Sequence, residues 1–484
     1  MKAKRMNKPS PKAQFSAAEK PLHFLSVSEA SWLIGSGALS PVTLVQAFLA
    51  RIEAVDATLK SYITVTAERA RAAALVAEAE IKAGRWKGPL HGIPFAVKDN
   101  YYVEGIRTTG GSRLMLDHVS STTSTAVARL EAAGAILLGK LNTWEYGTGN
   151  GGVYHDLPFE VARNPWDLAR FTGGSSTGAG ASVAAGTAMF ALGSDTGGSI
   201  RLPAAACGLQ GLKASFGRVS RAHCLPNCWT LDHTGPLTWT VEDNAIVMQA
   251  IAGYDADDPS SADVAVSDYR KSLHAGVKGL VIGYVRDLGP GGEALDAANA
   301  AAMDEAARIL EAQGAIIREV RLPAPLADYR TVTKVINWGE SYSIHETDFL
   351  ERSALMGQAL RDKMMSGFTL RAVDYLAATR LRRTLVDATD ALVRSCDALL
   401  IAGAFHVAPR FDEPETIIPF TSDTATTVFN VTGHPAMSVC TGYDSGGVPL
   451  NAQIVGRFFD EQTVLRVAQA YESATPWRDR RPSL

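Results

Sequence analysis

Two serines and one lysine in this 484-residue chain stand where acyl-transfer chemistry could use them. The serines lie on two glycine-rich turns within residues 172–208. The first turn is Gly173-Gly174-Ser175-Ser176, and the second is Asp195-Thr196-Gly197-Gly198-Ser199-Ile200-Arg201. Glycine lets a chain turn where a Cβ would clash. Consecutive N–H groups at such a turn, leading into a helix, can hold an oxygen that becomes negative. A serine among them is placed for a nucleophile, and it needs a base to take its proton. No histidine is near in sequence, so the base on offer is Lys98, at the end of the apolar segment 93–97. Such a lysine either turns to solvent or points inward, where burial favours the neutral amine and makes it a base. A second serine between base and nucleophile could relay the proton. Taken alone, Lys98 leaves both readings open, and glycine-serine stretches are often flexible connections. Here they alternate with Val183-Ala184-Ala185 and Met189-Phe190-Ala191-Leu192, which read as buried.

Other layouts fit less well. Gly174-Ser175-Ser176-Thr177-Gly178 matches G-x-S-x-G, with Ser176 as nucleophile and His406 or His434 downstream. That elbow must follow a strand, and residues 168–172 come only just past Pro165. The ten histidines show no H-E-x-x-H, and no carboxylates cluster at ligand spacing; no metal and no cofactor are expected. Cys224 and Cys228 lack a second pair of ligands. Gly147, Gly149 and Gly152 fit G-x-G-x-x-G. The residues after them do not open a helix, as a dinucleotide site requires, so the loop 142–152 reads as a substrate-side loop.

Elements must carry these residues. Ser26 and Glu29 form a capping box before one helix, Ser40-Pro41 opens a second, and 67–83 is a third that stops at Gly84. Short apolar strands are predicted at 93–97, 135–138, 189–192, 280–285, 316–320, 398–401, 436–440 and 453–455. Helices are predicted at 126–133, 177–187, from 200, and at 241–252, 294–313, 370–395, 423–431 and 461–471. No repeat or composition break divides the chain. The pattern implies an α/β fold: one large domain over 23–478, with a mixed, twisted β-sheet between layers of α-helices. Residues 329–368 read as a variable lid, with Trp338, Tyr342, His345, Phe349, Met364 and Phe368 facing either a pocket or the core.

The composition is 46% hydrophobic and 20% charged, with a net charge of −3. That is ordinary for a globular chain and gives no reason to expect nucleic acid or a membrane as partner. Five scattered cysteines argue against a disulfide framework. Residues 1–12 hold five basic side chains and no acid, with no apolar run after them. A disordered basic tail over 1–22 and a cytoplasmic location are the expectation.

Taken together, the motifs resemble the amidase signature family of serine hydrolases. They are Gly-Gly-Ser-Ser at 173–176, Gly-Ser-Asp-Thr-Gly-Gly-Ser-Ile-Arg-Leu-Pro-Ala at 193–204, Cys207-Gly208-x-x-Gly211-Leu-Lys213, Gly92-Ile-Pro-Phe-Ala-Val-Lys98-Asp99 and Gly433-His-Pro-Ala436. The resemblance spans roughly residues 25–471 and includes the 24-residue separation of Ser175 from Ser199. It implies Ser199 as nucleophile, Ser175 as a bridging serine on a cis peptide, and Lys98 as a base that acts when neutral. It assigns the oxyanion to N–H groups of Thr196, Gly197, Gly198 and Ser199, and substrate contacts to Thr148 and Gly149. Asp195 and Arg201 become structural. Thr177 stands where the family has glycine. The implied partner is a small-molecule amide, with a homodimer as the assembly the family suggests. An alternative similar over the same span is the glutaminase subunit of a tRNA-dependent amidotransferase. That subunit works with partner subunits, and Asp423 falls near where it holds the glutamine amino group. Against it, 231–236 looks more like stand-alone amidases, and 222–230 departs from the subunit's pattern. A catalytically silent protein on this fold is the third reading; the presence of all three catalytic side chains opposes it.

Overall fold

The computed structural model describes residues 20–149, 151–290, 292 and 294–484. The basic tail expected over 1–22 lies, up to residue 19, outside the described residues. The helices are α1 (Val27–Gly35), α2 (Pro41–Leu59), α3 (Ala67–Lys82), α4 (Thr125–Ala132), α5 (Thr177–Ala185), α6 (Arg201–Cys207) and α7 (Val241–Ile251). They continue with α8 (Ala297–Ala312), α9 (Leu326–Arg352), α10 (Gln358–Phe368), α11 (Ala372–Arg394), α12 (Ile417–Ser422), α13 (Thr426–Thr432) and α14 (Glu461–Ser473). The strands are β1 (Tyr62–Val65), β2 (Pro94–Lys98), β3 (Ile136–Leu141), β4 (Arg163–Asn164), β5 (Asp167–Phe171), β6 (Phe190–Asp195) and β7 (Gln210–Lys213). The remaining strands are β8 (His233–Thr238), β9 (Val281–Val285), β10 (Ile316–Glu319), β11 (Ala398–Ile401), β12 (Ala436–Tyr443) and β13 (Pro449–Val455).

Eleven strands form one sheet in the order β1-β3-β2-β6-β8-β7-β12-β13-β11-β9-β10, and β4 with β5 makes a separate hairpin. The sheet is mixed. Strands β3, β2 and β6 run parallel, as do β11, β9 and β10, and the pairs between these groups are antiparallel. The central strands are buried on both faces, which is why they read as continuous apolar runs. Successive side chains still alternate. Phe95 and Val97 of β2, with Phe190 and Leu192 of β6, enter the larger core beneath α1, α2 and α7. Ala96 and Ala191 face the other way, onto α5 and α6. Small side chains on both sides let α5, every residue of which is buried, lie close to the sheet. Lys98 shares the parity of Ala96, so the pleat aims it toward α5.

The Ser26–Glu29 capping box is present, and Ser40 caps α2 through Val42 and Thr43 N–H groups. The structure departs from the sequence reading in several places. The supposed lid is the helix pair α9 and α10. Its aromatics at 338, 342, 345 and 349 recur at helical spacing, which marks one face of a helix. The helix expected at 423–431 is α13, which starts three residues later, and Asp423 lies between it and a short preceding helix, α12, that was not expected. Strands β1, β4, β5, β7 and β8 lie outside the predicted strands. β8 contains Gly235 and Pro236 yet lies inside the sheet, opposite Gly193 and Leu192, where tertiary pairing overrides a weak local preference.

Candidate active site

Strands β3, β2 and β6 are parallel neighbours, so their carboxyl ends open on one edge, where α/β sheets place ligands. Lys98 closes β2, β6 runs through Asp195 into the second glycine turn, and β3 leads into the loop 142–149. The first turn lies between β5 and α5, and its Gly174–Ser175 peptide is cis. Gly173 has φ +74°, and a Cβ there would come within 2.8 Å of the Leu202 and Pro203 backbone. The first turn therefore packs directly on α6, the helix that follows the second turn.

Lys98 Nζ donates to Ser175 Oγ at 2.6 Å and to Ser194 Oγ at 2.9 Å, and Asn100 Nδ2 also donates to Ser194 Oγ at 3.1 Å. Lys98 is wholly buried. Burial lowers its pKa to about 7, against the opposing pull of Asp232 and Asp195. The nearby carboxylates are committed elsewhere. Asp99 pairs with Lys140 at 2.8 Å and Asp195 with Arg201 at 3.0 Å, so Lys98 has no ion-pair partner among the described residues.

The second turn is folded round Asp195. Arg201 donates Nε to Oδ2 and Nη2 to Oδ1, each at 3.0 Å. Asn430 Nδ2 adds a bond to Oδ1 at 2.8 Å, and Gly198 and Ile200 N–H groups donate at 2.7 and 3.1 Å. Burial opposes the charge, but Arg201 and these bonds hold the carboxyl well below its ordinary range. The Gly198 N–H, expected to face an oxyanion, is thus already taken by Asp195. N–H groups of Thr196, Gly197 and Ser199 have no hydrogen-bond partner among the described residues. Ser199 itself is partly exposed, and no hydrogen bond to its Oγ is formed among the described residues.

Thr148 Oγ1 donates to Asn227 Oδ1 at 2.8 Å, while a Cβ at Gly149 would strike the Tyr154 hydroxyl. Thr177 is buried at the start of α5 and leaves the Lys98–Ser175 contact in place. The strand that an elbow requires is present as β5, directly before the first turn, but the elbow layout is not assembled. Ser176 Oγ donates to the Ser194 carbonyl, His406 lies between Asp296 and Asp423, and His434 between Thr432 and Asp390. Of the lid aromatics, His345 packs on Tyr146 with ring centroids 4.4 Å apart, and Met364 joins the same cluster. Phe368 is 58% exposed. All five cysteines are free thiols. Among the described residues no group of three or more His, Cys, Asp or Glu could hold a metal ion, and no helix is long and apolar enough to cross a membrane.

Sequence reasoning missed Ser194, Asn100, Asn227, Asp232 and Lys363. Ser194 was within reach, since it directly precedes the second turn. Asn100 was equally near, two residues after Lys98. Asn227, Asp232 and Lys363 lie away from the glycine turns, and nothing in their local sequence marks them as part of the site.

The family model described as Amidase matches residues 43–465. The A subunit of the Glutamyl-tRNA(Gln) amidotransferase of Moorella thermoacetica is 38% identical over 96% of this chain and 99% of its own length. The structure resembles that of native peptide amidase from Stenotrophomonas maltophilia, with TM-score 0.82, 30% identity and coverage of 95% and 98%. It also resembles the corresponding Glutamyl-tRNA(Gln) amidotransferase subunit from Thermotoga maritima, with TM-score 0.78, 31% identity and coverage of 94% and 96%. With the buried lysine against a serine on one glycine turn, a second serine on the other, and a match that runs through the whole sheet, the chain belongs to the amidase signature family.

Proposed function

We propose that this protein cleaves a carboxylic amide by two-step acyl transfer through Ser199. The observation that carries this reading is the Lys98–Ser175 contact at 2.6 Å, made by a fully buried lysine whose pKa is lowered to about 7. A neutral Lys98 takes a proton from Ser175 as Ser175 takes one from Ser199, and Ser199 Oγ bonds to the carbonyl carbon. The oxyanion is held by the free N–H groups of Thr196, Gly197 and Ser199, each contributing roughly 3 kcal/mol in the transition state. The proton returns through Ser175 to the departing nitrogen, and water then hydrolyses the ester. Ser199→Ala should abolish turnover and Lys98→Ala should lower kcat by about 10²–10⁴, while circular dichroism stays native. A Lys98→Ala enzyme at full activity at neutral pH would remove the base from the scheme.

A second reading narrows the amide to glutamine, in a glutaminase subunit that works with partner subunits. The curated relatives favour it, since those that carry that subunit's name are 36–38% identical over nearly their whole length. The stand-alone reading draws on the peptide amidase, whose TM-score of 0.82 exceeds the 0.78 of the Thermotoga protein. It also draws on Asp423, whose carboxylate already faces His406 at 3.5 Å and Arg330 at 3.9 Å. Release of ammonia from L-glutamine, and its stimulation by co-expressed partner subunits, set against a panel of aryl, aliphatic and peptide amides, decides between them.

A further inference from the structure

Lys363 lies on α10, 136 residues along the chain from Asn227, and it is buried. Its Nζ donates to Asn227 Oδ1 at 2.6 Å and to Thr148 Oγ1 at 3.1 Å. Among the described residues it forms no ion pair. A buried ammonium with only neutral partners is costly, and its position beside the catalytic turns calls for a reason.

The reason is directional. An ammonium can only donate, so Lys363 fixes which end of the Asn227 amide turns toward it. Oδ1 faces the lysine. Nδ2 must then face away, and it donates to Gly147 O at 3.2 Å and to Thr196 Oγ1 at 3.2 Å. Thr196 Oγ1, having accepted, donates its own proton to Asp232 Oδ1 at 2.5 Å. Asp232 is an acceptor only, and its other oxygen takes the N–H groups of Asn227 and Cys228 at 2.8 and 2.9 Å. A donor-only group at one end and an acceptor-only group at the other orient every bond between them. The two backbone points this chain braces are the two walls of the site. Gly147 lies so close that a Cβ on it would be 3.3 Å from Ser175 Oγ and 3.4 Å from Lys98 Nζ. Thr196 carries one of the free N–H groups of the second turn.

We propose that Lys363 is a positioning residue that orients the Asn227 amide, which in turn holds the Gly147 and Thr196 walls at the separation the acyl transfer needs. The inference rests on the reading of Ser199 as nucleophile. It predicts a pH dependence. Burial lowers the Lys363 pKa to about 8, with Cys228 and Asp232 favouring the charged form. His345, facing it from α9, is itself lowered to about 4 by burial and by Lys363, and stays neutral. Glu145 and Asp156 are committed to the Gly357 and Gln358 N–H groups at the start of α10. Above about pH 8 the neutral amine loses its donor-only character, and the amide is free to turn.

The test is fluorophosphonate labelling of Ser199 from pH 6 to 10, resolved into the binding constant KI and the chemical step kinact. Lys363→Met and Asn227→Leu, both close in volume to the native residue, should each lower kinact at pH 7 by tenfold or more with KI little changed. The alkaline fall in kinact should disappear in Lys363→Met, and Lys363→Arg, which stays charged, should restore the rate and move that fall to higher pH. Lys363→Met or Asn227→Leu labelled at the wild-type kinact would overturn the proposal, as would an alkaline fall unchanged in Lys363→Met. If the wild-type Ser199 is not labelled at all, the acyl-enzyme reading fails first and this inference falls with it.

Discussion

The Gly198 N–H lies 2.7 Å from Asp195 Oδ1, so the turn presenting Ser199 is wrapped round a buried carboxylate instead of standing free. That one bond ties the end of β6 to the residue before the serine. The carboxylate's charge is in turn balanced by Arg201 from the helix that follows.

Asp195→Asn should therefore unseat the turn. Removing one member of a buried pair typically costs about 3–5 kcal/mol, because Arg201 is left charged and unpaired. Urea denaturation measures the loss, and fluorophosphonate labelling should show Ser199 unreactive in whatever protein remains folded. The Asp195 carboxyl titrates below its unfolded value of 3.8 in the folded chain. Its stabilisation is thus complete above pH 3.8 and lost as the pH falls toward the folded value. Acid unfolding should be less steep in Asp195→Asn than in the wild type.

Gly198→Ala should cost activity more than stability. Its φ of +136° disfavours a side chain, and a Cβ would meet Thr426 Oγ1 at 2.5 Å and Leu202 Cδ1 at 3.0 Å. Strain of about 1–3 kcal/mol and displaced oxyanion donors should lower kcat by roughly 10²–10³. Steady-state kinetics beside a thermal melt separates the two effects.

Activity should rise with pH through about 7, because the proposed base Lys98 can take a proton only when neutral and its pKa is lowered to about 7. Lys98→Met should lower kcat by about 10²–10⁴, the range for a general base, while making the protein more stable. The buried lysine titrates below its unfolded value of 10.5. The unfolded chain therefore binds more protons between about pH 7 and 10.5, and the destabilisation from burying this amine is fullest below pH 7. The gain in melting temperature of Lys98→Met should be largest below pH 7 and fade as the pH rises toward 10.5.

Glu340 fastens α9 to the segment that carries Asn227. Its carboxylate accepts from Thr230 N at 2.9 Å, Thr230 Oγ1 at 2.8 Å, Tyr375 OH at 2.8 Å and Cys228 Sγ at 3.0 Å. Glu340→Gln puts an amide donor against one of these donors. It should cost about 1–3 kcal/mol, read by urea denaturation, with a smaller fall in kcat than Lys363→Met.

The family and the α/β class were legible in the sequence, as were Lys98 and Ser175, which the structure brings to 2.6 Å, because glycine turns, short apolar strands and capped helices are local signals. Each needs only a few neighbouring residues to be recognised. The parity of Ala96 and Lys98 on β2 was legible in the same way, since a strand alternates whatever it pairs with. Only the tertiary structure decided that Gly198 commits its N–H to Asp195, that Gly235 and Pro236 lie inside the sheet, and that Lys363, Asn227, Thr196 and Asp232 form one chain of bonds. The bonds of that chain join segments 31 to 136 residues apart. A buried polar group takes whatever partner the packing brings within about 3 Å, and no pattern in its own neighbourhood records which one that is.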